Sequence, residues 1–168
     1  MAEIAMQRKP IDRPMRRRAT LLLAAALLLP GCSAMPVAPL PRTPPDGAGE
    51  VLVFREPAFL AGGLTLAVGA GATAFANIGN GEQVVAELPV GDHEIFVRTW
   101  TAEPTKLRIK IQPGARVCLR TTANPDKAAR AVVPVVLMTT DYSFYLDPVP
   151  CPAAGELARY KLVPVTYR

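Results

Sequence analysis

The sequence predicts an all-β fold, an antiparallel β-sandwich of about seven to nine short strands, which follows an apolar helical segment and a proline-rich linker. Short apolar and β-branched runs, separated by turn signals, continue from residue 50 onward. Residues 106–111 alternate basic and aliphatic side chains, which is typical of a strand with one face in water. No crossover helix is recognisable between the strands, so a parallel α/β fold is disfavoured.

The positive charge lies mainly before the predicted β domain. The chain has a net charge of +5 and a pI of about 9.4. Residues 1–31 hold six of the 19 basic residues and two of the 14 acidic residues, so residues 32–168 are close to neutral. A near-neutral domain lacks the charge that nucleic-acid binding requires, so we expect no nucleic-acid partner.

The N-terminus has the parts of a secretory signal in their usual order. Residues 16–18 (RRR) form a positive end, and an unbroken apolar run follows over residues 19–29. At 1.5 Å per residue this run spans about 16 Å, roughly half of a hydrocarbon core, so a permanent transmembrane helix is disfavoured. We therefore expect residues 1–31 to be a cleaved signal peptide, with Met15 as an alternative translation start.

Residues 29–32 (LPGC) resemble the lipobox of bacterial lipoproteins, although Pro30 replaces the usual Ala or Ser. The resemblance implies cleavage before Cys32, a diacylglyceryl thioether on its sulfur and acylation of its new amino group. Two or three acyl chains hold a protein firmly on a membrane. Ser33 resembles the residue found in lipoproteins sorted to the outer membrane, which implies the inner leaflet of that membrane, facing the periplasm. An ordinary secretory leader with an incidental cysteine is the alternative.

Residues 33–49 are interpreted as a linker because they contain five prolines and an Asp-Gly pair. In polyproline II form this stretch could reach about 50 Å, which would lift a domain off the lipid surface. The expected organisation is a signal peptide over residues 1–31, a lipidated cysteine and tether over 32–49, and a β-sandwich over 50–168. An N-terminal arm packed along the domain is the alternative to a free tether.

The strands are predicted from period-two alternation and from turn signals such as Asn80-Gly81 and Pro113-Gly114. Pro134 predicts that the strand 132–138 lies at a sheet edge or contains a bulge. A helical turn at 156–161 and an extended piece at 162–167 are expected after the last strand. The predicted strands are 50–55, 64–69, 73–78, 82–88, 93–100, 106–111, 116–121, 132–138 and 142–146.

A second resemblance rests on four short motifs, namely 50–55 (EVLVFR), 79–81 (GNG), 88–93 (LPVGDH) and 113–116 (PGAR). They resemble a domain-of-unknown-function family of small bacterial lipoproteins. The turn before His93 also resembles that of PEGA-type, prealbumin-like sandwiches. The likeness covers roughly residues 50–121 and consists mostly of turn chemistry. It implies a sandwich in the cell envelope and no established activity, so no catalytic residue can be carried over.

Two cysteines remain once Cys32 is assigned to lipid. In an exported, oxidising compartment the default for Cys118 and Cys151 is a disulfide with each other. Cys118 points to the face that it shares with Arg116 and Arg120, away from the expected main core. A disulfide there would clamp the C-terminal segment across that face. Two free thiols, or a disulfide to a partner, are the alternatives.

No motif in the sequence indicates catalysis, a cofactor or a metal site. The single histidine, His93, follows a turn without the further ligands that a metal requires or a nucleophile in a recognisable context, and we interpret it as a surface residue. The basic side chains of 106–111 are interpreted as a solvated strand face, with contact to anionic lipid headgroups or another anionic envelope polymer as the alternative. Aromatic packing is expected, with a sugar- or peptide-stacking platform as the alternative, for Trp100, Tyr142, Tyr145, Tyr160 and Tyr167.

The leading functional hypothesis is a non-enzymatic envelope lipoprotein whose β-sandwich binds an envelope protein or glycan, or supports an assembly. The membrane would be its first partner, through lipid on Cys32. A carbohydrate- or peptide-binding module is the second hypothesis, and it requires a concave surface lined by several aromatic side chains. An enzyme is the third, and it requires polar groups converging in a pocket, for instance His93 with Asp92 or Asp141.

Overall fold

The computed structural model of the protein describes residues 34–59, 61–100, 102–125 and 143–168, so the predicted signal helix, Cys32 and the predicted strand 132–138 with Pro134 lie outside the described residues. A single turn of 3-10 helix, Pro45–Gly47, precedes the first strand. The elements that follow are β1 (Ala48–Arg55), β2 (Leu66–Ala70), β3 (Thr73–Ile78), β4 (Glu82–Pro89), β5 (Gly91–Arg98), β6 (Thr105–Ile111), β7 (Arg116–Ala123), β8 (Phe144–Val149), α1 (Ala154–Leu157) and β9 (Lys161–Val163).

The strands form two sheets, which confirms the expected all-β class. One sheet has the order β8-β7-β1-β4-β9 and the other has the order β3-β2-β5-β6. Most neighbours are antiparallel, but β1 pairs in parallel with β7, and β4 pairs in parallel with β9. A purely antiparallel sandwich is therefore wrong at these two places. The long connection that parallel pairing needs is supplied by the second sheet itself, through which the chain passes between β1 and β7.

The tight turns carry the chain from one sheet to the other. Asn80-Gly81 separates β3 from β4, Val90 alone separates β4 from β5, and the turn containing Gly114 separates β6 from β7. Gly81 and Gly114 have φ angles of 71° and 65°, a conformation that glycine adopts without steric cost. The turn predicted at Asn80-Gly81 is thus present, and it joins two strands that belong to different sheets.

The main core lies between the inward faces of the two sheets, and these faces follow the predicted alternation. In β6 the basic residues are exposed while the intervening aliphatic residues pack toward the core. Alternate residues of β2, β4 and β5 are buried in the same cluster. The fully buried members from both sheets include Val51, Val53, Leu66, Val68, Ile78, Val84, Ile95, Val97 and Leu119.

A second, smaller cluster lies on the outer face of the five-stranded sheet. It consists of Leu52, Phe54, Cys118 and Tyr160, with Leu157 of α1 packed against it. The rings of Phe54 and Tyr160 meet edge to face, with centroids 5.3 Å apart. The C-terminal segment therefore covers this face. The expected helical turn forms at Ala154–Leu157, slightly before the predicted position.

The proline-rich segment packs along the domain over residues 35–42, which is the alternative to a free tether. The backbone N–H of Ala38 donates to the carbonyl of Ala74 on β3 (2.8 Å). Leu40 forms a parallel bridge with Tyr167, its N–H donates to Thr166 (2.9 Å), and its carbonyl accepts from Arg168 (2.9 Å). The Leu40 side chain is 5% exposed and belongs to the main core. The arm thus closes the gap between β3, at the edge of its sheet, and the C-terminal residues.

Replacing Leu40 with alanine is expected to lower the free energy of unfolding by about 2–4 kcal/mol, because a buried side chain at this closure is lost. Val37 belongs to the same arm but is 48% exposed. The matched change Val37→Ala should therefore alter stability by less than about 0.5 kcal/mol. Urea denaturation followed by circular dichroism measures both, and equal small losses would contradict the arm's structural role.

Candidate functional site

Cys118 and Cys151 form the expected disulfide. Cys118 is 2% exposed on β7, and Cys151 follows the end of β8, whose Val149 pairs with Cys118. The two Cα atoms are 5.1 Å apart. The bond joins the outer face of the five-stranded sheet to the chain that goes on to form α1 and β9. It therefore clamps the C-terminal segment across that face, as expected. The lipidation of Cys32 stays a prediction.

His93 lies at the start of β5, with Nε2 2.7 Å from the carbonyl oxygen of Pro89. Its proposed acidic partner Asp141 lies outside the described residues. No group of three or more His, Cys, Asp and Glu residues with the spacing for a metal ion is found in the described ranges. Those ranges also contain no helix long and apolar enough to cross a membrane.

The five aromatic residues considered for a stacking platform have different environments. Tyr160 is 4% exposed within the second cluster. Tyr167 packs against the main core, and its hydroxyl accepts the backbone N–H of Glu87 (2.9 Å). Tyr142 lies outside the described residues. Trp100 and Tyr145 are 69% and 43% exposed, so these two are free to meet a ligand while Tyr160 and Tyr167 serve packing.

The outer face of the four-stranded sheet, here called the basic face, carries the exposed side chains of β6 opposite those of β5. Phe96 pairs with Lys106, Glu94 with Arg108, and Asp92 with Lys110. Lys106 donates to Glu94 (2.8 Å). This hydrogen bond, together with the charges of Lys106 and Arg108, lowers the pKa of Glu94 from its usual value. Both partners are partly exposed, so the pair contributes little to stability.

Small residues line the basic face near β2 and β3. Ala67 and Ala74 form a small buried cluster with Phe96. The Phe96 ring occupies the space that a Cβ on Gly69 would fill, so the ring packs directly against this glycine of β2. An open hollow of about 150 Å³ lies beside the ring, and Arg98 and Lys106 are among the residues that line it. A larger open hollow of about 640 Å³ lies beside Arg108 and Lys110.

Arg55, at the end of β1, is a buried cation that the sequence reasoning missed. It is 2% exposed, and its guanidinium donates to the carbonyl oxygens of Leu64 and Ala61 (2.5 Å each). The guanidinium also lies 4.9 Å from the centroid of the Phe144 ring. Burial lowers the pKa of Arg55 to about 10, and the charge of Glu82 opposes this shift. Arg55 is therefore still charged at neutral pH.

The alternation in β1 could have revealed this burial. Val51 and Val53 face the main core, and Arg55 continues the same phase. Its two contacts hold the connection between β1 and β2. An open hollow of about 210 Å³ beside Arg55 is also lined by Glu56, Pro57 and Thr122. We interpret the role of Arg55 as structural, because its guanidinium is hydrogen-bonded to backbone carbonyls.

Known proteins give no further guide to the function. No protein-family model matches the chain, and a search of curated proteins finds no match. The function is therefore inferred from the chemistry of the chain's own residues.

Replacing Arg55 with methionine is expected to lower the free energy of unfolding by about 2–4 kcal/mol, because the carbonyls of Leu64 and Ala61 lose their charged donors. Arg116 is the matched control, since its side chain is 45% exposed and pairs with Glu50 at the surface. Arg116→Met should cost less than about 1 kcal/mol. Urea denaturation compares the two, and similar costs would show that the buried contacts of Arg55 are unimportant.

Removing the disulfide by Cys118→Ala with Cys151→Ala is expected to cost about 3–4 kcal/mol, because the unfolded chain regains the entropy of the closed loop. The two cysteines are separated by 33 positions. Chemical denaturation of the unchanged protein with and without reductant should reproduce the loss. An unfolding midpoint that does not respond to reductant would contradict a stabilising role for the bond.

Proposed function

We propose that this chain is an exported lipoprotein of the bacterial cell envelope, anchored by lipid on Cys32, whose β-sandwich binds or supports another envelope component without catalysing a reaction. The observation that carries the proposal is the Cys118–Cys151 disulfide. Structural disulfides form and persist in oxidising compartments and are rare in the reducing cytosol. The disulfide therefore agrees with the export that the leader at residues 1–31 predicts.

The leader supplies the second support. Its apolar run leads into residues 29–32 (LPGC), which resemble a lipobox. Dual or triple acylation at this cysteine would hold the protein on a membrane without a transmembrane helix.

The use of the domain's polar groups supports a binding or structural role. The buried Arg55 is engaged with two backbone carbonyls, and Gln83 donates to the carbonyls of Leu157 and Tyr160 (3.1 and 3.2 Å). These contacts fasten a loop and the C-terminal segment to the sheets. These buried hydrogen bonds therefore stabilise the sandwich, and its exposed faces are available to partners.

Mass spectrometry of the protein purified from membranes tests the anchor. We expect an N-terminal peptide that begins at Cys32 and carries acyl chains, because residues 1–31 are a cleaved leader. Cys32→Ser should move the protein from the membrane fraction to the soluble periplasmic fraction. The matched variant Cys151→Ser loses the disulfide but should keep the membrane location. A chain that keeps residues 1–31 and is recovered from the soluble fraction with free thiols would refute the proposal.

A further inference from the structure

The N-terminal arm begins on the basic face. The backbone N–H of Met35 donates to the side-chain oxygen of Asn77 (3.3 Å), and the Asn77 amide donates back to the Met35 carbonyl (2.7 Å). The Met35 side chain packs against the small cluster that contains Ala67, Ala74 and Phe96. Ala67, Asn77 and Phe96 alternate with residues of the main core, so they face outward from the four-stranded sheet. Met35 of the arm therefore lies on this face.

The chain between Met35 and the proposed lipid on Cys32 is short. Only Ser33 and Ala34 lie between Cys32 and Met35. Three residue steps span at most about 11 Å even when the backbone is fully extended. The polar headgroup region on each side of a bilayer is about 5–7 Å thick. A lipid on Cys32 would thus hold the basic face close to the headgroups.

The same face carries an excess of positive charge. Its charged side chains are Arg98 on β5 and Lys106, Arg108 and Lys110 on β6, with Glu94 and Asp92 as the acidic ones. Residue pairing places Asn77 opposite Ala67, and Ala67 opposite Arg98, so the fastened arm and the cations belong to one continuous surface. Adjacent strands are about 4.8 Å apart, so β6 lies only about 15 Å from β3 across this surface.

The outer face of the other sheet carries charges that nearly balance. Glu50, Glu87 and Asp147 project from it together with Arg116 and Arg120, and the pair Arg116–Glu50 is bonded. The C-terminal segment also covers part of that face through Tyr160. The charge difference between the two outer faces favours the basic face as the one that would turn toward an anionic surface.

We propose that the basic face docks on the anionic phospholipid headgroups of the membrane that holds the lipid anchor. The surface consists of Met35, Arg98, Lys106, Arg108 and Lys110. This inference rests on the proposed anchor at Cys32. Anchoring makes the contact intramolecular, so each weak headgroup contact acts at a high effective concentration. The short arm then orients the domain instead of lifting it from the membrane.

The test measures lysine acetylation of the purified lipidated protein by peptide mass spectrometry. The protein is placed in vesicles of phosphatidylethanolamine with about 30% phosphatidylglycerol, and for comparison in nonionic detergent micelles. We expect acetylation of Lys106 and Lys110 to slow by about fivefold or more in the vesicles. Lys161, whose side chain is 80% exposed on β9 of the other sheet, should react at the same rate in both. Salt at about 0.5 M should remove most of the protection because it screens exposed charges.

Two variants distinguish the contribution of the short arm to this protection from the contribution of the positive charge. A flexible Gly-Ser insertion of about 20 residues between Ser33 and Ala34 should reduce the protection of Lys106, because the domain is no longer held at the surface. Arg108→Glu with Lys110→Glu should do the same, because the face loses its positive charge. Lys161→Glu is the matched charge change on the other sheet and should leave the protection intact.

Results that contradict the docking can be distinguished from results that contradict the lipid anchor. A peptide beginning at Cys32 without acyl chains refutes the proposed function itself. An acylated protein whose Lys106 and Lys110 react equally fast in vesicles and micelles overturns the docking but leaves the anchor. Equal protection in vesicles of pure phosphatidylcholine overturns the role of anionic headgroups. Protection that requires added peptidoglycan overturns the lipid surface as the occupant.

Discussion

The closure of the sandwich by Leu40 is the contact on which the rest of the arrangement depends. Two packed sheets leave an open side wherever their edge strands do not meet, and buried aliphatic residues would face water there. Leu40 fills this side between β3 and the C-terminal residues, with backbone hydrogen bonds to Thr166 and Arg168. Because both ends of the domain meet at this contact, the same leucine fastens the C-terminus and fixes where the N-terminal arm runs.

The sequence predicts the faces of the strands far better than their partners. Period-two alternation assigns β4 and β6 correctly, because burial on one face selects the residue type at every second position. Alternation contains no information about which strand lies alongside, so the parallel pair of β1 and β7 and the sheet changes at Gly81 and Gly91 could not be foreseen. The cysteine pair was predictable because the leader predicts export, and in an oxidising compartment two remaining thiols pair by default.

The packed arm was predicted only as the alternative to a free tether, and Arg55 was missed, for different physical reasons. Prolines do remove backbone donors, but Leu40 between Pro39 and Pro41 keeps both its N–H and a side chain suited to the core, so proline content does not exclude packing. Arg55 follows the inward phase of β1, yet its charge argued for exposure. Its burial is possible because two carbonyls and the Phe144 ring surround the guanidinium. Such partners come from other elements, and the local sequence does not contain them.

The two outer faces of the sandwich are unequal because the chain uses one of them for itself. The disulfide at Cys151 and the ring of Tyr160 hold the C-terminal segment on the five-stranded sheet, so that face is partly occupied. Among the described residues outside its own strands, Met35 of the arm packs on the four-stranded sheet. Three of the sheet's four cations lie along the edge strand β6, where charged side chains also discourage pairing with another chain. The residues that fasten the C-terminus thus determine which face is left for a partner.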